Sequence, residues 1–181
     1  MIFPGPPKEF IQSLNACLGR IETIPPKERE GSLPYTQIKK GKKEQWVIGR
    51  GDKYYETTKD SQGQQPFSLE PDGRLSIFIR IKPHRNPETN ENESKLAEYS
   101  LAFSGLSEGG APIASLRYDL DPANATPNSP DWDEELQDNI AHPLFHLHVN
   151  FHISNDVRLA LGEVSPILVL RNFGAWYASG R

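Results

Sequence analysis

Four of the five histidines in this chain fall within eleven positions, as His142, His146, His148 and His152. His146, His148, Asn150 and His152 alternate with Phe145, Leu147, Val149, Phe151 and Ile153. This period of two predicts a half-buried antiparallel strand over residues 145–153, apolar on one side and histidine-bearing on the other. Alternate strand residues stand roughly 6.5 Å apart, close enough to share one ion or one substrate. Neutral imidazole is a common metal ligand and the usual general acid or base near neutral pH. A second alternating stretch offers complementary chemistry: Leu116, Tyr118 and Leu120 are interleaved with Ser115, Arg117, Asp119 and Asp121.

If the two polar faces coincide, the chain displays Arg, Asp and His together. His146 and His148 then act as acid and base, or bind a divalent metal with His152. Arg117 neutralises phosphate charge, and Asp119 orients a histidine or ligates the metal. The plain alternative is that the outer face of any amphipathic strand must be polar and histidine serves there as well as another residue. A His-x-His spacing still needs a third ligand before it holds a metal. The cupin pattern, which continues to a Glu four or five residues on, fails here because those positions are His152 and Ile153.

Other chemistries are excluded by absence. No Gly-x-x-x-x-Gly-Lys or Gly-x-Gly-x-x-Gly occurs. Cys17 is the only cysteine, so neither an intrachain disulfide nor a thiolate zinc cluster can form. Trp46, Tyr54 and Tyr55 with Arg50 and Lys53 are candidates for stacking on single-stranded nucleic acid, or else for cross-strand packing. The Arg50-Gly51-Asp52 triplet reads as part of a turn.

The order of Tyr99, then Leu116-Arg117-Tyr118-Asp119, then His146 and His148 resembles small bacterial toxin–antitoxin and mobile-element families, including TumE-like toxins. The resemblance spans residues 97–152. This chain departs from it by a predicted loop and helix between the two elements, over residues 122–142. The resemblance implies a prokaryotic conflict system, where RNA cleavage or sequestration by a partner is typical.

The elements that must position these residues read as follows. Phe10, Ile11, Leu14, Leu18 and Ile21 recur at helical spacing after Pro7, predicting an amphipathic helix over 7–21 with Cys17 near its apolar edge. Residues 22–44 read as a long loop carrying the basic cluster Lys39, Lys40, Lys42 and Lys43. Strands are expected at 45–49 and 53–58 about a turn at 49–52, then at 75–82, 98–104 and 115–121. Loops are expected at 59–73, ending in the turn Pro71-Asp72-Gly73, and at 83–95 and 122–130. A short helix follows Ser129-Pro130 and ends at His142-Pro143. Ser165-Pro166 opens a last helix through Tyr177, so rich in apolar residues that it must be packed deeply or covered by a partner.

The sum is a single α+β domain over residues 1–181. It has an antiparallel meander sheet of five to seven strands with N- and C-terminal helices packed on one face. Net charge is −4, so bulk charge does not mark a nucleic-acid binder. The charge is unevenly spread: residues 1–95 hold 16 Lys/Arg against 13 Asp/Glu, and residues 96–181 hold 4 against 11. No run of about 20 apolar residues exists to span a bilayer, and the N-terminus lacks signal-peptide character, so the expectation is a cytoplasmic protein. The Asn92 and Asn124 sequons read as chance on that view. Two functions are left open. One is a His-based phosphodiesterase acting on RNA, with or without a divalent metal. The other is a non-catalytic interaction protein, joined to a partner or a second copy through helix Pro166–Tyr177 and loop 39–43.

Overall fold

The computed structural model describes residues 2–4, 7–40, 43–109, 112–120, 145–151, 157–160 and 164–179. The expected loop and helix at 122–142 lie outside the described residues, as does His152. In chain order the elements are β1 (Ile2–Pro4), α1 (Pro7–Leu18), α2 (Pro26–Arg29), β2 (Tyr35–Lys40), β3 (Lys43–Arg50) and α3 (Asp52–Thr58). They continue with β4 (Phe67–Leu69), β5 (Gly73–Arg85), β6 (Asn92–Leu106), β7 (Pro112–Leu120), β8 (Phe145–Phe151), β9 (Val157–Ala160) and α4 (Pro166–Ser179). The fold is α+β, with one antiparallel sheet in the order β2-β3-β5-β6-β7-β8-β9; β1 pairs with β6 and β4 with β5.

Alternation divides the sheet into two chemically different faces. Ile77 and Ile79 of β5 pair with Leu101 and Tyr99 of β6, which pair with Tyr118 and Leu120 of β7. All of them belong to, or pack against, the main core. Onto this face α1 lays Phe10, Ile11, Leu14 and Leu18, and α4 lays Val169, Leu170 and Phe173. The Phe173 ring stacks on Phe103 with centroids 3.6 Å apart, and the Tyr99 hydroxyl donates to the Val164 carbonyl at 2.8 Å, fixing the entry to α4. N- and C-terminal helices therefore share one face, and Cys17 is buried beneath them.

A bulge keeps this division intact. Arg80 faces Glu98, yet the next residue, Ile81, faces Leu96, leaving Ala97 as the extra residue of β6. A strict period would place Ala97 opposite Ile81 and turn Leu96 away from the core; the bulge returns Leu96 to it, 2% exposed.

Several expected loops are strands. Residues 35–40 form β2, an edge strand whose Tyr35, Gln37 and Lys39 are exposed. Its Lys-rich, Pro-flanked composition suits an edge, where charge discourages pairing with other chains. The Lys39–Lys43 cluster thus belongs to the ends of a hairpin, with Lys39 opposite Glu44 and Lys40 opposite Lys43. Residues 83–85 and 92–95 extend β5 and β6 into a polar hairpin, closed where the Asn86 side chain accepts from the Glu88 and Thr89 amides. Those residues show no alternation because little core lies beneath them to demand it. Within 59–73, Phe67–Leu69 forms β4 and folds back on β5 through the Pro71-Asp72-Gly73 turn. The short strand β9 carries no signal strong enough to have been expected.

The expected strand at 53–58 is a helix, α3, and it lies on the face opposite α1 and α4. Tyr and Thr favour strands, but tertiary packing prevails here. Tyr54 is fully buried in a second apolar cluster with Val47 and Phe78. Gly51, with φ of 111°, turns the chain from β3 into the helix without strain. The Tyr54 hydroxyl donates to Asp60 Oδ2 at 2.8 Å and lies 3.2 Å from Thr36 Oγ1. Phe78, the one apolar residue of β5 that broke the alternation, is the floor of this cluster.

Gly63 closes over the same ring: a Cβ there would stand 2.2 Å from the Tyr54 ring. Gly63→Ala is therefore expected to destabilise the fold by about 1–3 kcal/mol, as overpacking does. Leu14→Ala should cost about 2–5 kcal/mol, whereas Leu168→Ala, at a position 49% exposed, should stay within about 0.5 kcal/mol. Urea unfolding of the three variants checks the order.

Candidate functional site

The face of the sheet away from α1 and α4 is polar because every second residue of β5 to β8 must point there. Strand β7 pairs directly with β8, and the register sets Arg117 opposite His148 and Asp119 opposite His146. Directly opposed residues of an antiparallel pair lie on one face with Cβ atoms about 5 Å apart. The two polar rows thus meet on adjacent strands, and Arg158 of β9 lies opposite His148 in turn.

Arg117 and Asp119, two residues apart on the same face, are joined by a hydrogen-bonded ion pair of 2.7 Å from Nε to Oδ2. Their exposures differ: the Arg117 side chain is 46% exposed and that of Asp119 only 9%. A carboxylate taken out of water needs a countercharge, and Arg117 supplies it while leaving much of its guanidinium outward. This pair can hold an anion at the guanidinium and orient a cross-strand imidazole from the carboxylate. Among the described residues no group of three His, Cys, Asp or Glu side chains is arranged to hold a metal ion.

Asp119 also sits opposite Ser100 of β6, which sits opposite Phe78 of β5. One cross-strand row therefore runs Phe78, Ser100, Asp119, His146. At its β5 end stands a charged cluster that the sequence reading missed. Lys53 Nζ of α3 lies 2.8 Å from Glu98 Oε1, and Arg80 NH1 lies 2.7 Å from Glu98 Oε2. Both cations stand over the Phe78 ring, at 4.7 Å and 5.3 Å from its centroid. Arg80 and Glu98 alternate with the apolar residues of their strands and are legible as outward on that ground, whereas Lys53, expected on a strand, is brought here by α3.

Of the stacking group expected at Trp46, Tyr54 and Tyr55 with Arg50 and Lys53, Tyr55 is partly exposed beside Lys59 and Lys53 is exposed, while the other three are engaged within the fold. Tyr54 is fully buried, Trp46 packs against the core and near Tyr35, and Arg50 lies 4.3 Å above the Phe67 ring while donating to the Gln65 carbonyl. The Arg50-Gly51-Asp52 triplet is the junction of β3 and α3, with its arginine engaged in these contacts. Tyr99, which the family resemblance grouped with Arg117 and Asp119, belongs to the core face and lies opposite Leu120.

Comparison with protein-family models, with curated proteins and with solved structures finds no match to this chain.

Burial, followed by the charges of Asp119 and Tyr118, pushes the Tyr99 phenol far above its ordinary value. Burial also raises that of Tyr54, and the Asp60 carboxylate adds to it. Both phenols hold their protons more tightly folded than unfolded, where ionisation falls at about pH 10. Stability drawn from them is complete below about pH 10 and falls as pH rises further. Absorbance titration at alkaline pH should accordingly show Tyr99→Phe leaving the ordinary tyrosine step unchanged. A smaller step in that variant would contradict the assignment.

Proposed function

We propose that the chain is a His-based phosphodiesterase acting on single-stranded RNA, in the manner of a toxin or defence protein working in the cytoplasm. The observation that carries the reading is the β7–β8 register, which sets Arg117 and Asp119 against His148 and His146. In this reading the two imidazoles exchange protons with the attacking and leaving oxygens, or hold a divalent metal together with His152. Arg117, half-exposed, neutralises the phosphate charge that grows in the transition state. Asp119, buried and ion-paired, is a positioning residue that orients His146. The resemblance to TumE-like toxins points to the same substrate class.

The interaction reading draws on two surfaces, the helix Pro166–Tyr177 and the basic loop 39–43. Among the described side chains of that helix, Val169, Leu170 and Phe173 are buried in the main core. Leu168 is the one of its described large apolar residues left exposed. No helix among the described residues is long and apolar enough to cross a membrane.

The test is cleavage of a labelled single-stranded RNA by purified tag-free protein. The double variant His146→Ala/His148→Ala is expected to lose activity by at least about 10²-fold, and Arg117→Ala by about 10²-fold, with circular dichroism unchanged. Full activity in the double variant ends this reading. Elemental mass spectrometry on the same samples decides between its two forms: near-stoichiometric metal that disappears in the double variant assigns the histidines to a metal, and its absence leaves acid–base catalysis.

A further inference from the structure

On the polar face the Lys53–Arg80–Glu98 cluster sets two cations against one carboxylate, both oxygens of which are engaged. The layering of the three side chains decides what the cluster shows to solvent. Glu98 is 15% exposed, Arg80 28% and Lys53 49%. The carboxylate is the least exposed of the three, and within the cluster two positive charges stand against one negative. The Phe78 ring beneath both cations and the Glu98 carboxylate beside them hold these long side chains in place. Ordering them in advance removes part of the entropy that a ligand would otherwise have to overcome. An internal ion pair alone would need one cation; the second is what marks this cluster as a place for an anion.

We infer that Lys53 and Arg80 form an anion subsite that takes a backbone phosphate of single-stranded RNA, flanking the phosphate held at Arg117. The inference rests on the phosphodiesterase reading for the identity of its ligand. Its placement follows from the register. Phe78 is two strands from Asp119 along one cross-strand row, which is about 10 Å. Arg80 lies two residues beyond that row in one direction and Arg117 two residues from Asp119 in the other. Their backbone positions are then about 16 Å apart across the face, a span of several nucleotides. Between them β6 carries only the small side chains Ser100 and Ala102 on this face, so no bulky residue of that strand stands in the way. The subsite therefore favours a chain of nucleotides over a dinucleotide, because only a chain reaches both ends.

Binding of a fluorescein-labelled 12-nucleotide RNA, 2′-O-methylated to prevent cleavage, can be followed by fluorescence anisotropy across a range of salt concentrations. Lys53→Ala is expected to weaken binding about 5-fold and to lower the salt slope by about 0.7. Lys53→Glu should weaken it further. Lys8→Ala, exposed on α1 at the opposite face, should bind as the wild type does. Unchanged affinity and slope in Lys53→Ala, or no binding by the wild type, overturns the subsite even if the histidine-dependent cleavage stands. A Lys53-dependent affinity in a protein that cleaves no RNA keeps the subsite and removes the catalytic reading instead.

Discussion

The long antiparallel ladder between β5 and β6 is the constraint on which the other elements depend. These strands run from Gly73 to Arg85 and from Asn92 to Leu106, and they carry β3 and β4 on one side and β1 and β7 on the other. Because side chains alternate across a strand, this one pairing assigns each neighbouring residue to one of two faces. Leu75, Ile77, Ile79, Leu101 and Phe103 make a continuous apolar sheet surface, and burying it requires both terminal helices. The same ladder places Ser76, Phe78, Arg80, Glu98, Ser100 and Ala102 on the other side. Charge can then accumulate there without entering the core. The bulge at Ala97 shows how closely the division is kept: one extra residue is accommodated so that Leu96 stays apolar-side and Glu98 polar-side.

The polar face is not uniformly open. Helix α3 covers its β3–β5 end through Tyr54 and contributes Lys53, while Asp119 toward β8 is nearly out of water. The more exposed members of its ion pairs are cations, Lys53 and Arg80 at one end and Arg117 at the other. Each cation is held by a carboxylate that is itself less exposed, Glu98 or Asp119. A negatively charged chain net of −4 can in this way present basic groups locally, which overall charge conceals.

Much of the sheet was legible from alternation alone. The expected strands at 75–82 and 98–104 fall within β5 and β6, residues 115–120 of the third fall within β7, and Tyr118 and Leu120 lie on the apolar side that their alternation gives them. The N-terminal helix follows from Pro at its first position and apolar spacing at three and four residues, and the C-terminal one from Ser165-Pro166 and the apolar run behind it. The polar strands β2 and the distal ends of β5 and β6 were illegible for a single reason. They are held by backbone hydrogen bonds at an edge or beyond the core, so no burial imposes a pattern on their side chains. The helix α3 failed in the opposite way, since its strand-favouring Tyr and Thr residues are overridden by one buried ring.

The candidate site divides along the same line. Alternation in the sequence groups Arg117 with Asp119 on one strand face, and His146 with His148 on one face of another. That is a local property, set by a repeat of two and readable without neighbours. Only tertiary structure decided that these strands are adjacent, which residue faces which, and that a lysine from a helix joins Arg80 over Phe78. Strand order and register are fixed by long-range pairing and by where bulges fall, and no local pattern encodes them.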